Sequence, residues 1–165
     1  MKRIAVALLG VIVAAALPPR SNAQAGTPIP TPGLAASHVD GEGRLVEDWG
    51  ALGIRLAGDG VHMGPAGVST GDVAPGVPGV RIVRDGGAVT LDATVFRAPV
   101  WPSGLDVLTV RLASKSDRDV PVRLTVELPA SARVGRRLVS LGGRAIVGLP
   151  ERPAPVRELR EWGHW

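Results

Sequence analysis

The chain has 165 residues, room for one domain, with 19 Lys and Arg, 15 Asp and Glu and no cysteine. The lack of cysteine excludes disulfides and a lipid-modified cysteine, so an exported form must be stable through its core alone. Three of the basic residues lie in the first 23 positions, which leaves 16 basic against 15 acidic side chains and argues against a nucleic-acid partner.

Residues 1–23 have the organisation of a secretory signal peptide. A Met-Lys-Arg start precedes an apolar run over residues 4–17, and Ser-Asn-Ala at 21–23 supplies the small residues that a signal peptidase reads. The apolar run is shorter than the ~20 residues that cross a bilayer. We therefore predict cleavage after Ala23, with Ala25 as the other site, a secreted or periplasmic protein, and no stable membrane span after cleavage. Retention of the segment as an anchor is the alternative.

Residues 24–43 are rich in Ala, Gly, Pro, Thr and Ser and have few large apolar residues. This composition predicts a flexible spacer. Leu52, Ile54 and Leu56 alternate with smaller or charged residues and predict a first strand over residues 51–57. Residues 58–79 hold many Gly and Pro residues, which predicts a long irregular loop.

Two hairpins are predicted from their turns. Asp-Gly-Gly-Ala at 85–88 separates alternating segments at 80–84 and 89–96, and Gly residues tolerate the positive φ that a tight turn requires. Gly142 and Gly143 likewise separate residues 137–141 from 144–149. Each pair of segments is therefore expected to form adjacent antiparallel strands.

The clearest alternation lies in residues 105–128. Leu108, Val110 and Leu112 share one face of the first half, and Val122, Leu124 and Val126 share one face of the second half. A polar Ser-Lys-Ser-Asp-Arg-Asp segment at 114–119 separates the halves and favours a turn. The pattern predicts a central hairpin with one buried face, which needs a second layer to cover it.

About seven short strands and no helical period before residue 150 predict an all-β fold, a two-sheet antiparallel sandwich over residues 44–150. The central stretch, with its polar turn and its second strand ending in Leu128-Pro129, resembles the immunoglobulin-like modules of exported bacterial proteins. The resemblance covers residues 45–150 and lacks the Cys and Trp pins of antibody domains. It implies a spacer, an adhesion unit or an accessory domain.

The aromatic residues suggest binding positions. Tyrosine is absent and phenylalanine occurs once, whereas there are four tryptophans: Trp49, Trp101, Trp162 and Trp165. Trp101 lies in a loop, where its ring could stack on a sugar or on a partner's side chain. The last two lie in a C-terminal tail, residues 151–165, that we expect to dock on its own domain or on a partner. The alternative is that Trp49 and Trp101 close the ends of the sandwich and the tail's rings cover its side.

Two further motifs give weaker indications of function, one of metal binding and one of catalysis. Asp59, His62 and Met63 could hold copper in an exported protein, since imidazole and thioether bind copper, although scattered histidines usually face solvent. Gly-Val-Ser-Thr-Gly at 67–71 matches the serine-hydrolase pattern, but that chemistry needs a strand-to-helix turn that the flanking Gly and Pro residues do not predict.

These patterns together predict an exported, non-catalytic binding or structural module without a cofactor, acting through protein contacts. A cell-surface glycan bound by Trp101 and the 58–79 loop is one alternative ligand, and copper handling by His62 and Met63 is another.

Overall fold

The computed structural model describes residues 9–14, 26–30, 37–100, 104–117 and 119–149, the first of these through its backbone alone. Every regular element in these ranges is a β-strand. Within them there is accordingly no helix long and apolar enough to span a bilayer. In chain order the strands are β1 (Leu9–Ala14), β2 (Gly26–Pro28), β3 (His38–Asp40), β4 (Leu45–Glu47), β5 (Gly50–Ala57), β6 (Ala66–Ala74), β7 (Val77–Asp85), β8 (Val89–Ala98), β9 (Leu105–Ser114), β10 (Arg123–Glu127), β11 (Arg133–Val134), β12 (Leu138–Leu141) and β13 (Arg144–Gly148).

The strands form two sheets. The larger has eight strands in the order β11-β12-β13-β1-β9-β8-β7-β6, and the smaller has five in the order β10-β5-β4-β3-β2. All the pairs are antiparallel, and neither sheet closes into a barrel. The protein is thus an all-β sandwich, as the alternation predicts.

One apolar core lies between the sheets. In β8 the buried positions alternate strictly with half-buried ones, so Leu91, Ala93 and Val95 face the core. The smaller sheet contributes Leu45, Leu52 and Leu124 to the same cluster. Fully burying a side chain of this size stabilises the fold by about 1.5–3 kcal/mol, which is how a chain without disulfides holds two sheets together.

The two hairpins predicted from glycine turns are confirmed. Strands β7 and β8 pair around the turn at 85–88, where Gly87 has a φ of 74° and donates its N–H to the Asp85 carboxylate. Strands β12 and β13 pair around Gly142 and Gly143, both with positive φ. The strand predicted over 51–57 is β5.

The predicted central hairpin is wrong. Strand β9 pairs with β8 and β1, whereas β10 pairs with β5 in the smaller sheet. The polar segment therefore carries the chain from one sheet to the other. It starts at the β7–β8 turn, where Lys115 donates its backbone N–H to Ala88 and its ammonium lies 2.6 Å from an Asp85 oxygen. Alternation of apolar residues predicts which face of a strand is buried, but it does not predict which strand pairs with it.

Two segments predicted to be irregular contain strands. Residues 58–79 are irregular only as far as Pro65, because β6 pairs with β7 from Ala66 opposite Arg84 to Ala74 opposite Val77. In the predicted spacer 24–43, β2 and β3 form a pair, and Ile29 and Val39 join the core. Two buried aliphatic side chains thus anchor the described residues of a segment whose average composition is that of a linker.

Strand β1 lies inside the predicted signal peptide. It pairs with β9 on one side and with β13 on the other, so it occupies a central place in the larger sheet. The predicted tail at 151–165 lies outside the described residues.

Candidate functional site

The outer face of the larger sheet, the side away from the core, bears a polar cleft. Its floor is a row of directly opposed residues on four adjacent strands: Ser69 on β6, Arg81 on β7, Thr94 on β8 and Thr109 on β9. The cleft has a volume of about 530 Å³, within the range of small-ligand sites. We call it the outer-face cleft; it is lined by Ser69, Thr70, Gly71, Asp72, Val73, Arg81, Asp92, Thr94, Thr109, Val110 and Arg111.

Alternation in β8 and β9 explains why polar groups gather there. Ala93 and Val110 face the core and are 1 % exposed, so their neighbours Asp92, Thr94 and Thr109 must face outwards. The hydroxyls of Thr94 and Thr109 are hydrogen-bonded across the two strands. The floor is therefore a fixed array of donors and acceptors.

An ion pair crosses the floor of the cleft. Arg81 donates from Nε to Asp92 Oδ1 at 2.9 Å and from Nη2 to Oδ2 at 2.6 Å, the two-pronged geometry in which a guanidinium matches a carboxylate. The hydrogen bond from Arg81 lowers the pKa of Asp92, and Asp92 raises the pKa of Arg81. Asp92 is therefore ionised at neutral pH and serves as an acceptor.

Arg111 adds a second cation. It lies opposite Asp92 in the β8–β9 register and is exposed. Among the described residues it makes no ion pair within 4 Å, because Arg81 already holds both Asp92 oxygens. Its five N–H donors are therefore open to a ligand.

One wall of the cleft depends on a glycine. The β6–β7 register shifts between Asp72 and Ala74, a bulge that re-aims the end of β6. Val73 then lies over Gly79: a Cβ on Gly79 would come within 2.7 Å of Val73 Cγ1 and 2.6 Å of the Val95 carbonyl oxygen. Glycine is therefore required at position 79 for Val73 to pack there and form this wall of the cleft.

A second polar group, the inter-sheet cluster, lies in the interior: Ser37, Glu47, Arg97 and Asp106. Arg97 and Asp106 are opposed across β8 and β9, and Nε–Oδ1 and Nη2–Oδ2 distances of 2.6 and 2.7 Å join them. The hydroxyl of Ser37, the residue directly before β3 of the smaller sheet, donates to Asp106 and accepts from Arg97. The side chains of Arg97, Asp106 and Glu47 are at most 2 % exposed, so this cluster fastens the sheets and is closed to ligands.

Glu47 is the unusual member of the inter-sheet cluster. Its Oε2 lies 3.9 Å from Arg97 Nη2, and its Oε1 has no hydrogen-bond partner among the described residues. Burial raises the pKa of Glu47 to about 9, and the neighbouring Asp106 carboxylate adds to the rise. Glu47 is therefore protonated at neutral pH.

Of the four tryptophans predicted as binding positions, Trp49 lies within the described residues. Trp49 is half-buried against the core, and its Nε1 is buried without a hydrogen-bond partner in the described part of the chain. Both predicted roles of Trp49, ligand contact and closure of an end of the sandwich, stay predictions. Trp101, Trp162 and Trp165 lie outside the described residues, so their predicted role stays a prediction.

The predicted metal residues lie in one loop but face different surroundings. Asp59 and His62 are exposed, whereas Met63 packs partly against the core. Within the described ranges, no three His, Cys, Asp or Glu side chains are grouped as they would be to hold a metal ion. Ser69, the serine of the hydrolase pattern, lies inside strand β6 opposite Arg81, away from any turn.

Sequence reasoning missed both polar groups. The cleft residues on β8 and β9 looked like an ordinary solvated face, and the β6 wall lay in a predicted loop. The inter-sheet cluster did leave a signal: Arg97 continues the core positions Leu91, Ala93 and Val95, and Asp106 precedes the core positions Leu108 and Val110. A charge in step with core positions indicates a buried ion pair.

No protein-family model matches this chain. No curated protein and no solved structure matches it either.

Proposed function

We propose that this protein is an exported, non-catalytic binding module with an immunoglobulin-like sandwich, and that it recognises its ligand in the outer-face cleft. Export is supported by the signal pattern in residues 1–23. An immunoglobulin-like module is supported by two antiparallel sheets and by a connection after β9 that crosses between them.

The observation that carries the proposal is the row of polar side chains that four strands hold in register. Positions on paired strands are fixed by the backbone ladder, so a ligand meets preorganised groups and orders little on binding. Arg81 and Asp92 also fix each other. The result is a rigid recognition surface of small-ligand size.

The composition of the cleft favours a neutral, hydroxyl-rich ligand, a short glycan. Its charged lining residues are two arginines and two aspartates, so their charges cancel. Ser69, Thr70, Thr94 and Thr109 add hydroxyls that both donate and accept. A phosphate-rich or strongly anionic ligand would meet Asp72 and Asp92 as well as the arginines.

A thermal-shift experiment tests the proposal. The exported chain is melted with neutral oligosaccharides and, separately, with acidic ones. A neutral ligand at about 100 times its Kd adds about 2.7 kcal/mol of stability, a rise in Tm on the order of 10 °C. The rise should disappear in a Thr94→Val, Arg111→Gln double variant.

The matched control is the Thr125→Val, Arg123→Gln double variant, since these residues sit two apart on β10 in the smaller sheet. It should keep the full rise. Equal rises in both variants would exclude the cleft as the site, and no rise with any neutral glycan would exclude the ligand class.

A protein partner is the second candidate. The observation that favours it is separate from the cleft: a central strand of the larger sheet comes from the predicted signal peptide.

A further inference from the structure

We propose that strands β9 and β13 form a strand slot that, in the processed protein, accepts an extended apolar segment of a protein partner. The slot is the space between these strands that β1 fills. The inference rests on the proposed export, because processing after Ala23 would remove β1.

The backbone register defines the slot. All six residues of β1 are paired with β9, from Leu9 opposite Val110 to Ala14 opposite Leu105. On the other side, Ile12 is opposite Gly148 and Val13 is opposite Val147. Ile12 and Val13 are thus paired on both sides. A six-residue segment is therefore enough to bridge the two strands.

Strands β9 and β13 cannot simply replace β1 by pairing with each other as they stand. Each is antiparallel to β1, so they run parallel to each other, about 9.5 Å apart across the intervening strand. Without β1, both would present open backbone N–H and C=O groups in the middle of the sheet. An unpaired strand edge is a template for another strand.

The walls of the slot are part of the core. Leu108 and Val110 on β9 are 2 % and 1 % exposed, and Val147 on β13 is 1 % exposed. Loss of β1 would uncover this apolar flank along with the open backbone groups. An occupant that restores both must be extended and apolar.

The chemistry of the occupant follows from the segment seated there. Leu-Gly-Val-Ile-Val-Ala contains three β-branched residues in six, no charge and no proline. The partner segment must therefore be aliphatic, must run antiparallel to β9 and must keep an N–H at the central position. The processed chain lacks residues 9–14, and the occupant that we propose in their place is a segment of another protein.

The test uses the exported chain, with its mass measured first to establish that residues 1–23 are gone. A synthetic peptide of residues 7–16, flanked by lysines for solubility, is added as the probe, and Tm is measured. The control peptide carries Ile12→Pro, since proline removes the N–H at one of the two residues paired on both sides. The unprocessed 165-residue chain, whose slot is filled, is the second control.

The proposal predicts that the native peptide raises the Tm of the processed chain by several degrees, or restores its folding if it is unfolded alone. The proline peptide should bind at least tenfold more weakly, and the unprocessed chain should not respond. Equal effects of the two peptides, or no effect on a folded, processed chain, would overturn the slot. A mass that still includes residues 1–23 would overturn the premise that the protein is processed on export. The thermal-shift test with glycans probes the outer-face cleft, so its outcome does not depend on either result.

Discussion

Arg97 and Asp106 face each other across β8 and β9 and join their side chains in the interior of the sandwich, through two hydrogen bonds of 2.6 and 2.7 Å. The Ser37 hydroxyl links this pair to the smaller sheet. Many sandwich domains fasten their sheets with a disulfide, and this chain has no cysteine. In this protein a buried ion pair and a serine hydroxyl link the two sheets instead.

Breaking the pair should destabilise the fold strongly. Asp106→Asn leaves the Arg97 guanidinium buried with a neutral partner, and removing one partner of a buried pair costs about 3–5 kcal/mol. Chemical denaturation of the variant measures this loss as a lower midpoint. Arg55→Gln is the control, because its pair with Glu127 is largely exposed and should contribute no more than about 1 kcal/mol. Similar losses in the two variants would contradict the role of the cluster.

Glu47 should make stability fall as pH rises. Its folded pKa of about 9 lies above its ordinary value of 4.5, so between these values the unfolded chain has released the proton and the folded chain has kept it. The unfolded state binds fewer protons, and the free energy of unfolding drops with pH by at most about 1.4 kcal/mol per unit. The destabilisation caused by ionising Glu47 is therefore absent below pH 4.5 and complete above about pH 9.

The measurement compares denaturation of the native chain and Glu47→Gln at pH 5.5 and 8.5. Glutamine keeps the shape of the protonated acid and cannot ionise, so the variant should lose less stability over this interval. Arg97 and Asp106, the charged groups beside Glu47, are present in both proteins. Parallel pH curves for the two would show that Glu47 is already ionised at neutral pH.

Two glycines that face each other on β6 and β7 should respond oppositely to alanine. At Gly79 a Cβ would lie 2.6 Å from the Val95 carbonyl oxygen, a backbone atom that cannot move aside, so Gly79→Ala should cost about 1–3 kcal/mol. At its register partner Gly71 a Cβ would have nothing within 4 Å, so Gly71→Ala should change stability by no more than about 0.5 kcal/mol. Denaturation of both variants checks the contrast, and equal costs would contradict this geometry of the cleft wall.

Asp92 should titrate below its ordinary pKa of 3.8 because Arg81 donates two hydrogen bonds to its ionised form. Arg81→Gln should move the pKa of Asp92 upwards towards that value, as measured by carboxyl-carbon NMR. The pair's stabilisation is present above pH 3.8 and is lost as the pH falls through the folded pKa. It is small because the Arg81 side chain is 58 % exposed, so that solvent screens the pair. An unchanged Asp92 titration in the variant would show that the pair does not form in solution.

The sequence predicts the parts of this fold that local chemistry decides. The Gly-rich turns gave two hairpins, and the alternation in β8 and β9 gave their buried faces. The partner of β10 was not predictable, because its apolar residues alternate in the same way whether it pairs with β9 or with β5. Strand β6 was missed because its pairing with β7, and not its side chains, makes it a strand.

The candidate site was harder to predict for a related reason. Arg81 and Asp92 are eleven residues apart in a polar pattern that any wet sheet face would show. Only the register between β7 and β8 brings them together. The charges of Arg97 and Asp106, by contrast, stand at core positions in the sequence and could have been recognised.

Strand β6 also ends the larger sheet, so along one side its backbone has no paired strand in the described part of the fold. An exposed edge strand of this kind can pair with the edge strand of another copy and lead to aggregation at high concentration. Asp72 is the single charged residue on the nine-residue strand and adjoins its bulge, so charge and kink stand together at one end. We therefore expect a neutral residue at position 72 to lower colloidal solubility as well as to change the lining of the cleft.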